Sequence, residues 1–118
     1  MRWLMHGNLT TATADALRRH GHEVVELPEL PTDATEVLAA AKKAQLDVLT
    51  ADSGLASAPF AGAGGFNRSL VFLQLAGGDV EQDDAIDRLF KRYKRLTPGR
   101  LYTVTENRVK VRQLPGVV

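Results

Sequence analysis

The sequence predicts an α/β domain, a three-layer α/β/α sandwich whose mostly parallel central sheet is closed by a C-terminal antiparallel hairpin. Three observations lead there. Short apolar runs alternate with amphipathic helical stretches through most of the chain, the signature of β-α-β units on a parallel sheet. The first run lies at the very N-terminus and stops at small and polar residues before a helix signal, as a central strand feeding a crevice does. The last segment alternates apolar and polar residues on either side of Glu106 and Asn107, which fits a tight hairpin.

Each element has its own local cause. The first strand covers residues 2–6 and ends at His6, Gly7 and Asn8. Thr10 and Thr11 are candidate N-caps for a helix through His20, in which Leu9, Ala12, Ala16 and Leu17 recur at roughly helical spacing. Gly21 supplies the stop. Residues 22–27, with Val24, Val25 and Leu27, read as a short buried strand ended by Pro28 and Pro31. Asp33 followed by Glu36 makes a near capping box for an Ala-rich helix carrying Val37, Leu38 and Ala41 on one stripe and Lys42 and Lys43 at its end. Residues 46–51 form the third strand, which ends at Asp52 beside the tip of the first.

From 53 to 67 the composition shifts to Ala, Gly, Ser and Pro, including Gly62, Gly64 and Gly65. This predicts a mobile surface loop, placed to serve as a lid over Asp52, and lacks the Lys and Ser/Thr spacing of a P-loop. Residues 70–75 are apolar enough for a fourth buried strand, and Gly77 and Gly78 break the chain. The helix predicted over 79–96 presents Ile86, Leu89, Phe90, Tyr93 and Leu96 on one face before Pro98 and Gly99 stop it. The hairpin strands are 101–105 and 108–114. On the second, Val109 and Val111 face one way and Arg108, Lys110 and Arg112 the other.

The 118 residues suit one domain over 1–118. Zero cysteines exclude a disulfide framework and a thiolate metal site and fit a cytoplasmic protein. The N-terminal apolar run is one strand long and lacks a signal-peptide pattern, so no membrane partner is expected. The net charge of +1 conceals an asymmetry: residues 1–87 hold 6 Lys or Arg against 13 Asp or Glu, whereas 88–118 hold 9 against 1. A basic last third attracts an anionic polymer or an acidic partner. A solvated helix with acids at its start and cations at its end accounts for much of the same pattern. Arg108, Lys110 and Arg112 are accordingly either a solvent row or nucleic-acid contacts. Trp3 reads as core or interface, and His20 and His22, flanking the Gly21 turn, as solvent-facing. The pattern also allows a receiver-like fold, but neither the adjacent acids after the first strand nor the lysine near the last that its phosphoryl-transfer site needs is visible.

Five segments carry a family resemblance. Leu4-Met5-His6-Gly7-Asn8-Leu9 and the stretch 16–25 (ALRRHGHEVV) resemble the opening of the compact toxin-type PIN-like domains, whose first strand usually ends D-E-N-L. Residues 32–38 (TDATEVL) are similar to that family's S-D-x-E-I-L. Residues 48–55 (VLTADSGL) are similar to its V-L-V-T-x-D-x-D-F, and 99–112 to its closing hairpin. The resemblance implies a PIN-like fold descended from metal-dependent ribonucleases, often toxins paired with a small antitoxin. In such enzymes clustered carboxylates hold Mg²⁺ or Mn²⁺, which activates water and neutralises charge on the scissile phosphate.

Carried over by position, Asp33 and Asp52 match family acids and Asn8 is kept. His6 and Gly7 replace two acids, Gly54 replaces a third, and Leu55 stands for Phe. The resemblance thus implies catalytic and metal roles for Asp33 and Asp52 if activity survives. His6 would be a further metal ligand, better suited to Mn²⁺ or Zn²⁺ than to Mg²⁺, with His6, Asn8, Thr50 and Ser53 lining the site. Asp33 and Asp52 have structural alternatives as a helix cap and a loop cap. The expected function is a binding or regulatory module on a degenerate nuclease scaffold, acting through an antitoxin-like protein or self-association. The alternatives are a surviving metal-dependent ribonuclease and a non-cleaving RNA binder using the basic last third.

Overall fold

A computed structural model describes residues 1–27, 29–61 and 65–115. Pro28, expected to end the second strand, and Gly62 and Gly64 of the Gly/Ala stretch lie outside the described residues. The chain runs β1 (Arg2–His6), α1 (Thr11–Arg19), β2 (Glu23–Val25), α2 (Ala34–Lys43), β3 (Asp47–Thr50) and α3 (Ser53–Ser57). A 3₁₀ turn (Ala58–Ala61), β4 (Leu70–Leu73), α4 (Asp79–Arg92), β5 (Arg100–Val104) and β6 (Val109–Gln113) complete the described elements. These six strands make one sheet in the order β2-β1-β3-β4-β5-β6. Each pairing is parallel except that of β5 with β6. The α/β fold is as expected, including the hairpin.

Two apolar layers hold the helices to opposite faces. On one, Trp3, Leu49, Val71 and Tyr102 meet Ala16 and Leu17 of α1 and Ile86, Leu89 and Phe90 of α4. On the other, Leu4, Val48, Leu70 and Leu101 meet Val37, Leu38 and Ala41 of α2 and Leu55 and Ala56 of α3. The strand members are sequence neighbours, 3 and 4, 48 and 49, 70 and 71, 101 and 102. Period-2 alternation sends one of each pair to either layer, which is why these strands read as continuous apolar runs. Fully burying side chains of this size contributes about 1.5–3 kcal/mol each. Among the described residues no helix is long and apolar enough to cross a membrane.

Several expectations are corrected. The stretch from Ser53 is ordered into α3 and the 3₁₀ turn rather than a mobile lid, because Leu55, Ala56 and Phe66 are buried against α2 and the sheet. β2 is an edge strand and only half buried, since among the described residues nothing pairs with it beyond β1. α4 ends at Arg92, where Tyr93 turns extended, although Leu96 still reaches the core. Asp33 occupies the N-cap position of α2 without accepting a side-chain cap bond, so the expected capping box does not form. Trp3 is buried as expected. His22 is not solvent-facing: it is half-buried, takes a hydrogen bond from Trp3 Nε1 at 3.0 Å and lies 4.5 Å from the Phe90 ring, centroid to centroid.

Candidate functional site

The sheet order reverses at β1, with β2 on one side and β3 on the other. In open α/β sheets ligands bind outside the carboxyl ends of the strands at such a switch point. The register places His6, the last residue of β1, directly beside Thr50, the last of β3. The crevice expected from the first strand is therefore the one between these two residues.

A small hydrogen-bonded network fills its floor. Thr50 is fully buried, and its Oγ1 lies 2.9 Å from His6 Nδ1. The same oxygen accepts the backbone N–H of Asp52 at 3.0 Å. After His6 the chain turns sharply: Leu9 N–H donates to the Gly7 carbonyl at 2.8 Å, and Gly7 takes φ +84°. A β-carbon at Gly7 would lie 3.3 Å from Asp52 N and 3.4 Å from Ala51 N. The two strand-ending turns are thus in backbone contact, and only glycine adopts this conformation without strain.

Asp52 is exposed and caps α3, its Oδ1 accepting the Gly54 N–H at 2.9 Å. Ser53 opens that helix, and its carbonyl accepts Ser57 Oγ at 2.7 Å. Asp33 is exposed at the start of α2. Because β1, β2 and β3 are parallel, α2 begins at the same carboxyl edge of the sheet as His6 and Asp52. Sharing an edge does not make a cluster. Among the described residues no three His, Cys, Asp or Glu side chains are grouped to hold a metal ion, so His6, Asp33 and Asp52 are not assembled as the ligand set expected of them. Nor do the donors suit Mg²⁺ or Mn²⁺, which favour oxygen-rich sites. His6 commits Nδ1 to Thr50 and Asp52 commits Oδ1 to Gly54, while positions 6, 7 and 54 contribute one imidazole and no carboxylate.

Comparison with protein-family models, with curated proteins and with solved structures found no match.

A residue missed in the sequence organises the loop above the crevice. Gln82 of α4 is buried, and its Oε1 accepts Thr10 N–H at 2.9 Å and the hydroxyl of Thr13, while its Nε2 donates to the Asn8 carbonyl at 3.2 Å. It therefore pins the His6-Gly7-Asn8 turn to α4 through the backbone of Asn8. The available signal was its place one turn before Ile86 on the apolar stripe of α4, where a polar side chain needs buried partners. Asp47, also buried, sits at the opposite edge of the sheet, accepting Ser69 N–H at 2.9 Å and pairing with Arg68 at 3.5 Å. Its role is to tie the start of β3 to that of β4.

The basic row of the hairpin divides. The Arg112 guanidinium stacks 3.9 Å from the centre of the Phe60 ring, on the side of the sheet bearing α3. Arg108, just before β6, instead faces α4 and lines a cleft of about 690 Å³ with Arg88, Lys91 and Arg92. Lys110 is exposed and pairs across the ladder with Thr103. Strand alternation fails for Arg108 because it belongs to the turn rather than to the ladder.

Proposed function

We propose that this chain is a PIN-like domain in which the nuclease site has become a metal-independent binding site. One observation carries the reading. At the switch point, the residues standing where the family has acids are engaged within the fold: His6 bonds Thr50, Gly7 lies against the Asp52 backbone, and Asp52 caps the helix that Gly54 enters. Such a crevice binds by shape and hydrogen bonding, since it lacks the concentrated negative charge that draws a hard cation. An antitoxin-like protein, a second copy or RNA would each suit a module of this kind. The basic cleft beside the hairpin favours RNA.

The test is RNA cleavage by the purified protein with Mg²⁺ or Mn²⁺ added, beside Asp52→Ala and Asp33→Ala. The expected outcome is no cleavage that depends on either carboxylate. Cleavage abolished by Asp52→Ala would restore the ribonuclease reading.

A further inference from the structure

The cleft between α4 and the hairpin turn combines cations from two elements. Arg88, Lys91 and Arg92 occupy i, i+3 and i+4 positions of one helix face, and Arg108 approaches them from the turn. The helix macrodipole accounts for Lys91 and Arg92 at the end of α4, but it does not account for Arg108. With Arg108 the lining holds four cations against the two carboxylates Asp84 and Asp87, a net positive surface that attracts an anion.

The carboxylates in the wall do not fully supply the counter-charge. Asp87 lines the cleft but already bonds His20 Nε2 at 2.7 Å and Arg19 Nη2 at 3.3 Å, across the packed helices α1 and α4. Those partners hold its carboxyl below the usual range, the His20 bond contributing most. Asp84, exposed, is the other carboxylate of a lining that holds four cations. Arg88 is fixed in place by donating Nη2 to the Thr105 carbonyl, and its Nε is buried without a partner among the described residues.

We propose that this cleft is a binding site for the phosphate backbone of single-stranded RNA, with Arg88, Lys91, Arg92 and Arg108 as its contacts. Guanidinium forks and an ammonium match phosphate oxygens. A phosphodiester strand brings one charge per residue to these cations and, beside it, 2′-hydroxyl and exocyclic amine donors that Asp84 can accept. The place is also apt. β5 is parallel to the chain of strands that includes β1, so the turn after it leaves the same sheet edge as the His6–Thr50 crevice, two to three strand spacings or roughly 10–14 Å away. The proposal deepens the RNA-binding reading above and holds whether or not the crevice cleaves.

The experiment is fluorescence anisotropy of a short labelled oligouridylate with the whole chain, across about 50 to 200 mM salt. Lys91→Glu/Arg108→Glu is compared with Lys110→Glu/Arg112→Glu, all four residues being exposed. Circular dichroism melts check that both variants fold. The cleft variant is expected to weaken binding on the order of 10-fold or more and to flatten the salt slope by about 1.4, the share of two lost phosphate contacts on a single strand. An unchanged slope, or a loss confined to the Lys110/Arg112 variant, overturns the site. Displacement of the RNA by polyglutamate at equal charge overturns it in favour of an acidic protein surface. Cleavage of the same RNA is followed in parallel, so loss of the metal-independent reading is seen separately from loss of this one.

Discussion

His6 Nδ1 and Thr50 Oγ1, 2.9 Å apart, join the ends of β1 and β3 at the point where the sheet reverses its order. The threonine hydroxyl serves two partners, since it also accepts the Asp52 N–H. Thr50→Val keeps the shape but leaves both without it. Orphaned groups of this kind cost about 1–3 kcal/mol, so the midpoint of thermal unfolding should fall by several degrees. Thr50→Ser, which retains the hydroxyl, should recover most of the loss. Equal melting of the valine and serine variants would mean that the hydroxyl does not hold the turn.

The sheet was legible in the sequence because neighbouring apolar residues such as Val48 and Leu49 must bury on opposite faces, and only a strand covered on both sides allows that. The pairing of β1 with β3 followed from two runs ending in polar residues. The stretch after Asp52 was misread because Gly, Ala and Ser content describes flexibility in isolation, whereas Leu55, Ala56 and Phe66 bury enough surface to order it. The same limit hid Gln82, whose partners lie 69 to 74 positions away in the chain. That positions 6, 7 and 54 hold no carboxylate could be read directly. The bonds of His6 to Thr50 and of Gly54 to Asp52 could not, since they depend on register and on where α3 starts.

Gly7 governs whether a side chain fits in the turn after β1. Its φ is +84°, and a β-carbon there would fall 3.3 Å from Asp52 N, so any side chain adopts a left-handed conformation that costs about 1–2 kcal/mol. Gly7→Ala should therefore destabilise the protein by at least that amount in urea denaturation. Gly7→Glu should do so without creating Mg²⁺ affinity in calorimetry. His6→Asp/Gly54→Asp leaves this backbone untouched and is the variant expected to gain Mg²⁺ affinity. If Gly7→Ala is neutral, the two turns are not in the contact described.

Gln82 supplies both polarities to the turn. Replacing it with Leu preserves volume but strands Thr10 N–H and the Asn8 carbonyl, each at about 1–3 kcal/mol. Gln82→Glu keeps the acceptor and loses the donor, and should fall between wild type and Gln82→Leu. Amide hydrogen exchange gives the decisive readout: protection at Leu9 and Thr10 should drop in Gln82→Leu more than protection in β4. A uniform drop across the sheet would mark Gln82 as a general core residue rather than the anchor of this turn.

The bond from Trp3 Nε1 to His22 Nδ1 requires a lone pair on that nitrogen, and therefore a neutral imidazole. Burial is the main force holding His22 below its ordinary 6.5, with repulsion from the chain's amino group and from His20 adding to it. Unfolded chains take up the proton near 6.5 while the folded protein resists, so the unfolded state binds more protons below that pH. Stability contributed by neutral His22 is thus present above 6.5 and is lost as the pH falls towards the folded value. His20, which faces Phe90 on its other side and bonds Asp87, is a second imidazole close by, so the effect must be read by difference. His22→Asn keeps an acceptor for the indole and removes the proton site. Its melting temperature should depend less on pH than that of the wild type between about pH 7 and 5. Trp3 is the single tryptophan of the chain, so its emission should change over the same interval in the wild type and stay level in His22→Asn. Identical pH profiles for the two proteins would show that His22 does not set this dependence.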